Sequence, residues 1–584
     1  MVTEIRLGNL FTSGGKNVIT GGASGIDIEG LVKGLTEARA QPAVALQDKI
    51  DNNTKRTSAV SELKKLVEDF KDAANFLRNP PGVQNASANV FRFRQAEVTA
   101  NSGVSGSLYL NVTAEPGAPV GDYAIKVDSL ATRNIQTTDT FIATGLSDDF
   151  VGEPGSAINA GILTVGAGAR ATAVTLANGD SLNDIISKVN AVRTRSGVEA
   201  SLLQINSTEY RISFKSIDTG TNQNYNLATS SPGIFNVPFA VQNNAVDAQL
   251  TIDGTTITRQ NNSIDDLIDG LTFNLVATTP VATTLDVSVE SDRELAKSGI
   301  TNFVDAYNAF KLFASRQTEL GSDGRPLETS ILASKSVLTT PLNNIGSEIA
   351  KSVEGLAAAD PKALADIGIT FADFPGDDET PFTRNILQID EEKLESALQS
   401  DFDSVRRIFE FEVTSNDPNV SVFSRTNALS VSNFTLNVNT GTNTFQATYT
   451  QGGISTTVNL TKTDLGGTIS LSGQSGTALQ GLVLLYTGSG NTTANVNISQ
   501  GLGDRLYNTA DNLLRDQTGI ISATLQQITD ESSRYEEEIT KINDSVERYR
   551  ESLLAKYSQL EQTISQINTL LQSLDANTNA QNNN

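Results

Sequence analysis

Between residues 521 and 574 apolar side chains recur at Leu525, Ile528, Tyr535, Ile539, Ile542, Val546, Tyr549 and Leu553, with Ser532 in the one polar slot. The steps alternate three and four, the heptad seam of a coiled coil. At Tyr557 the phase slips by an extra four-residue step, a stutter that locally unwinds a left-handed supercoil. The alternation then resumes at Leu560, Ile564, Ile567, Leu571 and Leu574. No Gly or Pro interrupts the stretch, so one helix of roughly 80 Å is predicted, longer than a compact domain needs. Such a helix with one apolar seam requires a partner helix.

The other end of the chain offers that partner. Asp27 can cap a helix with Ile28, Leu31, Val32 and Leu35 on one face, and Pro42 is expected to break or kink it. A second helix follows with Leu46, Ile50, Val60, Leu63, Val67, Phe70, Ala74 and Leu77, stopping at Pro80-Pro81-Gly82. If the chain goes out on one terminal helix and returns on the other, the two run antiparallel. Residues 1–25, Gly-rich at Gly14-Gly15 and Gly21-Gly22, read as a flexible end, and the Asn-rich tail 575–584 reads as disordered.

Between the ends the period changes to two. Tyr123, Ile125 and Val127 alternate with polar neighbours, as do Ile212 with Phe214 and Leu250 with Ile252, and a helix with Leu182, Ile185, Ile186 and Val189 interrupts them. This predicts a first β-rich domain over 84–150 and 240–291 and a second over 151–239. Helix returns over 292–410: a stripe of Ala296, Ile300, Phe303, Tyr307, Phe310 and Ala314, a stripe from Leu338 through Leu342, Ile345 and Ile349 to Val353 and Leu356, a helix starting at Asp360-Pro361, and one capped by Asp390. Residues 411–500 are β again: Phe434, Leu436 and Val438 alternate, a turn follows around Gly441, then Phe445, Ala447 and Tyr449 alternate, which looks like a hairpin. Residues 501–574 hold the C-terminal helix. The fold class is therefore α+β: an antiparallel helical coiled-coil stalk or bundle built from residues 26–82, the middle and the C-terminus, with β-rich head domains inserted.

Composition narrows the chemistry. Net charge is −24, which disfavours nucleic acid and anionic membranes. There is no Cys and no His, which removes disulfides, thiolate metal sites, His-dependent triads and the commonest metal ligand. No segment reads as a secretory signal or a membrane span. Gly166 and Gly168 lack the third glycine of a dinucleotide loop, and Asp373, Asp377, Asp378 and Glu379 lack calcium-loop spacing. Three glycosylation-like tripeptides begin at Asn206, Asn433 and Asn459 and carry no weight by themselves. No catalytic, cofactor or metal site is expected.

Several motifs, in this order, resemble the bacterial flagellar filament-capping protein family, one of the hook-associated proteins. Ala23-Ser24-Gly25-Ile26-Asp27-Ile28-Glu29-Gly30-Leu31-Val32 looks like its opening motif, and Gly121-Asp122-Tyr123-Ala124-Ile125-Lys126-Val127 looks like its first head strand. Residues 180–190 and 210–215 resemble a module of flagellar axial proteins. Ile252-Asp253-Gly254, Ile268-Asp269-Gly270, Phe303-Val304-Asp305-Ala306-Tyr307-Asn308, Ile367-Gly368-Ile369 and Leu387-Gln388-Ile389-Asp390 are similar to further family motifs. Residues 415–499 are a β insertion where many members run more directly into the last helix.

The resemblance implies a ring-like homo-oligomer at the filament tip, exported through the flagellar apparatus to the cell exterior. Its implied partners are flagellin, hook–filament junction proteins and a cytoplasmic chaperone at the C-terminal region. It implies no enzyme activity, no cofactor and no membrane insertion. The stalk residues expected to form protein interfaces are Ile28, Leu31, Leu35, Ile542, Val546, Leu553, Leu560, Ile564, Ile567, Leu571 and Leu574. The competing expectation is a surface adhesin whose β-rich head binds glycans.

Overall fold

Apolar residues recur at helical spacing on both sides of Pro42, and they form one helix rather than two. A computed structural model describes residues 9–13, 16–20, 25–80, 89–166, 170–225, 227–229, 234–376, 381–426 and 428–582. Its helices are, in chain order, α1 (Ile28–Phe76), α2 (Leu182–Ala191), α3 (Arg193–Ser196), α4 (Arg293–Arg316), α5 (Ser336–Ile349), α6 (Glu391–Ser400), α7 (Phe402–Phe409), α8 (Leu502–Leu514) and α9 (Ile520–Asn582). Pro42 lies inside α1 and is exposed. A proline there deletes one backbone hydrogen bond and strains one carbonyl, while the helix is held by packing on both sides of it. Asp27 caps α1 by accepting the Gly30 N–H at 2.9 Å.

The chain divides into two units, residues 1–82 with 299–584, and residues 83–298. The first unit is built on the C-terminal half of α1. Val60, Leu63, Val67, Phe70 and Ala74 are fully buried, each large side chain contributing about 1.5–3 kcal/mol by leaving water. Phe70 packs on Phe303 of α4 at 5.5 Å between ring centroids, and Phe303 meets Phe409 of α7 edge-on at 6.3 Å. Gly503 lets α8 press against this core: a Cβ there would lie 3.0 Å from the Phe409 carbonyl oxygen and 3.2 Å from that of Ala74.

The central block departs from the all-helical expectation. Strands Ile369–Phe374 and Thr383–Ile389 form an antiparallel hairpin. It docks on α4 through Asn308, whose amide donates to the Leu387 carbonyl and accepts the Leu387 N–H, both at 2.8 Å. The helix expected at Asp360-Pro361 is a single 3-10 turn, Leu364–Ile367, closed by Gly368 in the left-handed region at φ 89°. Beyond α5 the predicted stripe to Val353 and Leu356 is not helical. Asp373 accepts the Asn385 N–H at 3.2 Å, and Asp377, Asp378 and Glu379 lie outside the described residues.

Between α7 and α8 stands an eight-stranded antiparallel sheet, ordered Phe411–Ser415, Thr492–Gln500, Asn433–Asn439, Thr444–Gln451, Ile454–Asp464, Ile469–Gly473, Val483–Tyr486, Val420–Ser424. The strands at its two ends are consecutive in sequence, so the sheet curls back on itself around a core of Leu436, Ala447, Leu471, Leu484 and Ala494. The predicted hairpin is present in the register Leu436↔Ala447 and Val438↔Phe445.

The described residues near both termini carry more regular structure than expected. Asn9–Ser13 and Lys16–Thr20 pair as a hairpin lying against α9, where a flexible end was predicted; Gly14-Gly15 and Gly21-Gly22 fall outside the described residues. The tail predicted as disordered over 575–584 continues α9 to Asn582. Its Asn and Gln residues extend a helix that is already nucleated, which needs no further initiation step.

The second unit holds two β lobes. In one, the sheet Thr255–Arg259, Ala248–Ile252, Gly121–Ser129, Leu285–Ser291, Arg94–Ala100 shares a core with the sheet Ser263–Ile268, Leu271–Leu275, Leu110–Ala114. In the other, Val198–Gln204, Glu209–Ser216, Ile135–Thr138 and Phe239–Asn243 form a sheet that shares its core with α2. This second lobe already includes Ile135–Thr138 and Phe141–Ile142, upstream of the start expected at residue 151. Ser181 and Asp184 close a capping box on α2, whose Leu182, Ile185 and Val189 are buried as the periodicity indicated.

Candidate assembly surface

The terminal helices pair antiparallel. Going outward along α1, contacts on α9 move from Ser532 to Ser545 to Leu553. Asn53, almost fully buried, donates to Ser532 Oγ at 3.2 Å, so the polar slot of the seam has a polar partner. Arg56 Nη1 bonds Asn53 Oδ1 at 2.9 Å and lies 3.4 Å from Glu531 Oε2, and Tyr535 OH donates to Glu531 Oε1 at 2.8 Å. The Tyr535 hydroxyl holds the Glu531 carboxyl below its ordinary pKa, with Asn53 and Arg56 adding to the effect. One polar layer of this kind fixes the register of a helix pair.

Farther out, Lys49 Nζ sits 5.2 Å from the Tyr535 ring centre and the Arg39 guanidinium 4.6 Å from that of Tyr549. The outermost dry contact joins Ile28 and Val32 to Leu553 and Leu554, flanked by Tyr549 and Tyr557. Ile28 and Leu553 therefore meet, as candidate residues. Ile542, Val546 and Ile564 are half-buried. Leu31 and Leu35 are 43% and 37% exposed on α1. Leu560, Ile567, Leu571 and Leu574 are 43%, 52%, 52% and 53% exposed on α9, joined by Leu570, which the heptad reading left out because it lies beside the seam. Val32 and Leu554 were also missing from the candidates. Their one signal is the step of four from Ile28 to Val32, and Leu554 next to the stutter carries none.

At the inner end, Asp504 of α8 is almost fully buried between two guanidiniums. It accepts from Arg78 Nη1 at 3.3 Å, and from Arg425 Nη2 and Nε at 2.9 and 3.0 Å. Arg425, which follows the last strand of the curled sheet, also donates to the Asn79 carbonyl.

Acid sensitivity follows from the carboxylates. Asp184, Asp401 and Asp417 are held below their ordinary pKa first by hydroxyl hydrogen bonds from Ser181, Ser404 and Thr492, and Glu531 by Tyr535. A depressed folded-state pKa contributes stability that is present above the unfolded value, about 4, and lost as pH falls below it. With no His and no Cys, no side chain of ordinary pKa titrates between about pH 5 and 8. The melting temperature is expected to be flat across that window and to fall below about pH 4, by calorimetry in matched ionic strength.

Among the described residues no cluster of metal-binding side chains occurs, and no helix is long and apolar enough to cross a membrane. What the residues build is paired helices with an apolar stripe left open, and separate β lobes: the surfaces of a structural assembly protein. Family profiles agree. The flagellar hook-associated protein 2 C-terminus matches residues 245–569, its N-terminus matches 24–134, and the flagellin hook IN motif matches 161–218. The chain belongs to the flagellar hook-associated protein 2 family, a family of structural proteins rather than enzymes.

The A-type flagellar hook-associated protein 2 of Pseudomonas aeruginosa is 26% identical over 419 residues, covering 67% of this chain and 80% of the relative. The Escherichia coli K12 flagellar hook-associated protein 2 is 27% identical over 414 residues, covering 66% and 78%. The crystal structure of the flagellar cap protein FliD D1-D2-D3 domains from Escherichia coli aligns with 60% of this chain and 89% of that chain at 25% identity and a TM-score of 0.45. Nothing in these likenesses supports the adhesin reading.

Proposed function

We propose that this protein caps the distal tip of the bacterial flagellar filament, where it holds exported flagellin so that each subunit folds and inserts beneath it instead of escaping. The observation that carries this reading is the family match over both the N-terminal and C-terminal parts of the chain. The finer reading is that copies form a ring through the β-rich head, and that α1 and α9 form a coiled-coil stalk reaching the filament. The three–four alternation of α9 and its antiparallel pairing with α1 support the stalk.

In this reading Leu31, Leu35, Leu560, Ile567, Leu571 and Leu574 face flagellin or the hook–filament junction proteins. Exposed aliphatic side chains grouped on one face favour an interaction surface over a solvent face. Before export the same stripe would need cover, which suits a cytoplasmic chaperone at the C-terminal region. Export through the flagellar apparatus then puts the protein outside the cell.

The test is complementation. In a strain lacking this gene, filaments are expected to be absent and flagellin to appear in the medium, and the full chain should restore filaments and motility. Normal filaments in the deletion strain would refute the cap. Ile567→Asp refines the test. Because Ile567 is 52% exposed, the change should alter stability by less than about 0.5 kcal/mol, yet impair filament growth. A matching fall in melting temperature would mean that Ile567 closes the helix pair instead.

A further inference from the structure

The curled sheet of residues 411–500 is nearly uncharged. Its charged residues are Glu412, Asp417, Arg425, Lys462 and Asp464, which sum to −1 against −24 for the whole chain. No charged residue occurs from Thr426 to Thr461 or from Leu465 to Gln500. Each of the five is engaged within the chain: Glu412 with Arg406, Asp417 with Thr492, Arg425 with Asp504, and Lys462 with Asp464. The solvent side of the sheet is left to hydroxyls and amides.

On four neighbouring strands these side chains stand in two rows. The ladder register aligns Asn495, Thr435, Thr448 and Thr457. It aligns Thr493, Asn437, Gln446 and Asn459 in the next row. The rows are already bonded within themselves. Thr435 Oγ1 donates to Asn495 Oδ1 at 3.1 Å, and Thr493 Oγ1 to Asn437 Oδ1 at 3.0 Å. Gln446 Nε2 donates to Asn459 Oδ1 at 3.0 Å, and the Thr448 and Thr457 hydroxyls lie 2.8 Å apart. The alternate residues Leu436, Val438, Phe445 and Ala447 fill the core, which turns both rows outward.

Burying polar groups costs least when they are already hydrogen-bonded, and here no ion pair has to be desolvated. Depletion of charge is the compositional mark of an interface core. Over the rest of the chain the negative charge makes two copies repel; on this face it does not. Thr, Asn and Gln each donate and accept, so the face suits its own copy turned through 180°, whereas a charged partner surface would be left unpaired. We infer that this face packs against the same face of a second copy of the chain, about a two-fold axis near Asn437 and Gln446. Four strands at about 4.8 Å spacing span about 15 Å. Two rows of that width fall well short of the roughly 800 Å² per partner of a stable complex, so the contact is weak and depends on concentration. It rests on this surface alone and stands whether or not a ring forms through the β-rich head.

The chain has no Cys, so one introduced thiol reports one place. Asn437→Cys in the full-length protein is treated with a short thiol-to-thiol crosslinker at high protein concentration. The reference is Ser421→Cys, exposed on the strand at the far end of the same sheet. Asn437→Cys should give at least roughly fivefold more covalent dimer, because a bound pair holds its thiols at high effective concentration. Adding Thr448→Lys places like charges on the facing surfaces and should return the yield to the reference. Equal yields from positions 437 and 421 would overturn the inference, and so would a high yield that Thr448→Lys leaves unchanged. Purified flagellin in excess should leave the yield as it is; a fall would assign the face to flagellin instead of a second copy. Should Asn437→Cys misfold, Thr493→Cys beside it in the same row gives the same readings.

Discussion

A chain ended after Gln559 should fold, melt with the full-length protein and still fail to restore filaments in the deletion strain. That truncation removes Leu560, Ile564, Ile567, Leu571 and Leu574 but keeps Leu553, Leu554 and Tyr557, which cover Ile28 and Val32. Of these, Leu560, Ile567, Leu571 and Leu574 are about half exposed and Ile564 is half-buried, so little apolar burial within the chain goes with them. A chain ended after Glu551 is the contrast. It strips the cover from Ile28 and Val32, so the outer end of α1 should fray and stability should fall along with filament growth. Both truncations leave the β lobes and central helices intact, and both should still form oligomers at high concentration by light scattering. Normal filaments with the Gln559 truncation would refute the contact of the seam with the filament. Monomers at every concentration would show that the coil, not the head, builds the ring.

The long helices were legible because their signal is long. Thirteen heptad-spaced positions on α9 outvote any local exception, and the partner polar slots Asn53 and Ser532 could be half-seen as a single Ser in an apolar row. Pro42 was over-read: a proline's local penalty is about 3 kcal/mol, and packing on either side of it outweighs that sum. The hairpin around Gly441 was legible with its buried face, because period-two alternation on both strands leaves one phase that buries Phe434, Leu436 and Val438.

The hairpin of Ile369–Phe374 and Thr383–Ile389 was not legible. Only Ile369, Leu387 and Thr383 of its residues are buried, so the alternation is broken, and it is held in part by the Tyr307 and Asn308 side chains of a helix distant in sequence. The open stripe at the end of α9 was identified as apolar, but a heptad cannot say which of its positions finds a partner. Exposure of Leu560 to Leu574 depends on where α1 begins, and that depends on Asp27 and the contacts of Ile28. The ionic cluster at Asp504 left no trace, since Arg78 and Arg425 lie 426 and 79 positions away in the chain.

That cluster carries the largest expected effect on stability. Replacing Asp504 by Ala should destabilise the first unit by about 3–5 kcal/mol, the penalty of leaving a buried charge without its partner. Asp504 accepts three hydrogen bonds, and the side chains of Arg78, Arg425 and Asp504 are only 9%, 6% and 5% exposed. The guanidiniums are further committed by stacking, Arg78 on Tyr507 at 3.5 Å and Arg425 on Phe411 at 3.7 Å. Burial pushes the Arg425 guanidinium below its ordinary pKa and the Asp504 charge opposes this. Without the carboxylate, two cations share one dry site, and neither can lose its proton near neutral pH. Because Arg425 belongs to the curled sheet, while Arg78 follows α1 and Asp504 opens α8, the sheet and the helices should loosen together. For a cooperative unit of several hundred residues the loss is a fall in melting temperature of roughly 5 °C. Changing all three to apolar residues, Arg78→Leu, Arg425→Met and Asp504→Leu, should recover most of that loss, since a well-packed apolar replacement is often neutral or better than a buried ion group. Calorimetry of the two variants decides the matter: a shift under about 1 °C for Asp504→Ala would show that both guanidiniums reach water, and a triple variant worse than the single one would show that stacking and shape, not charge, hold the junction.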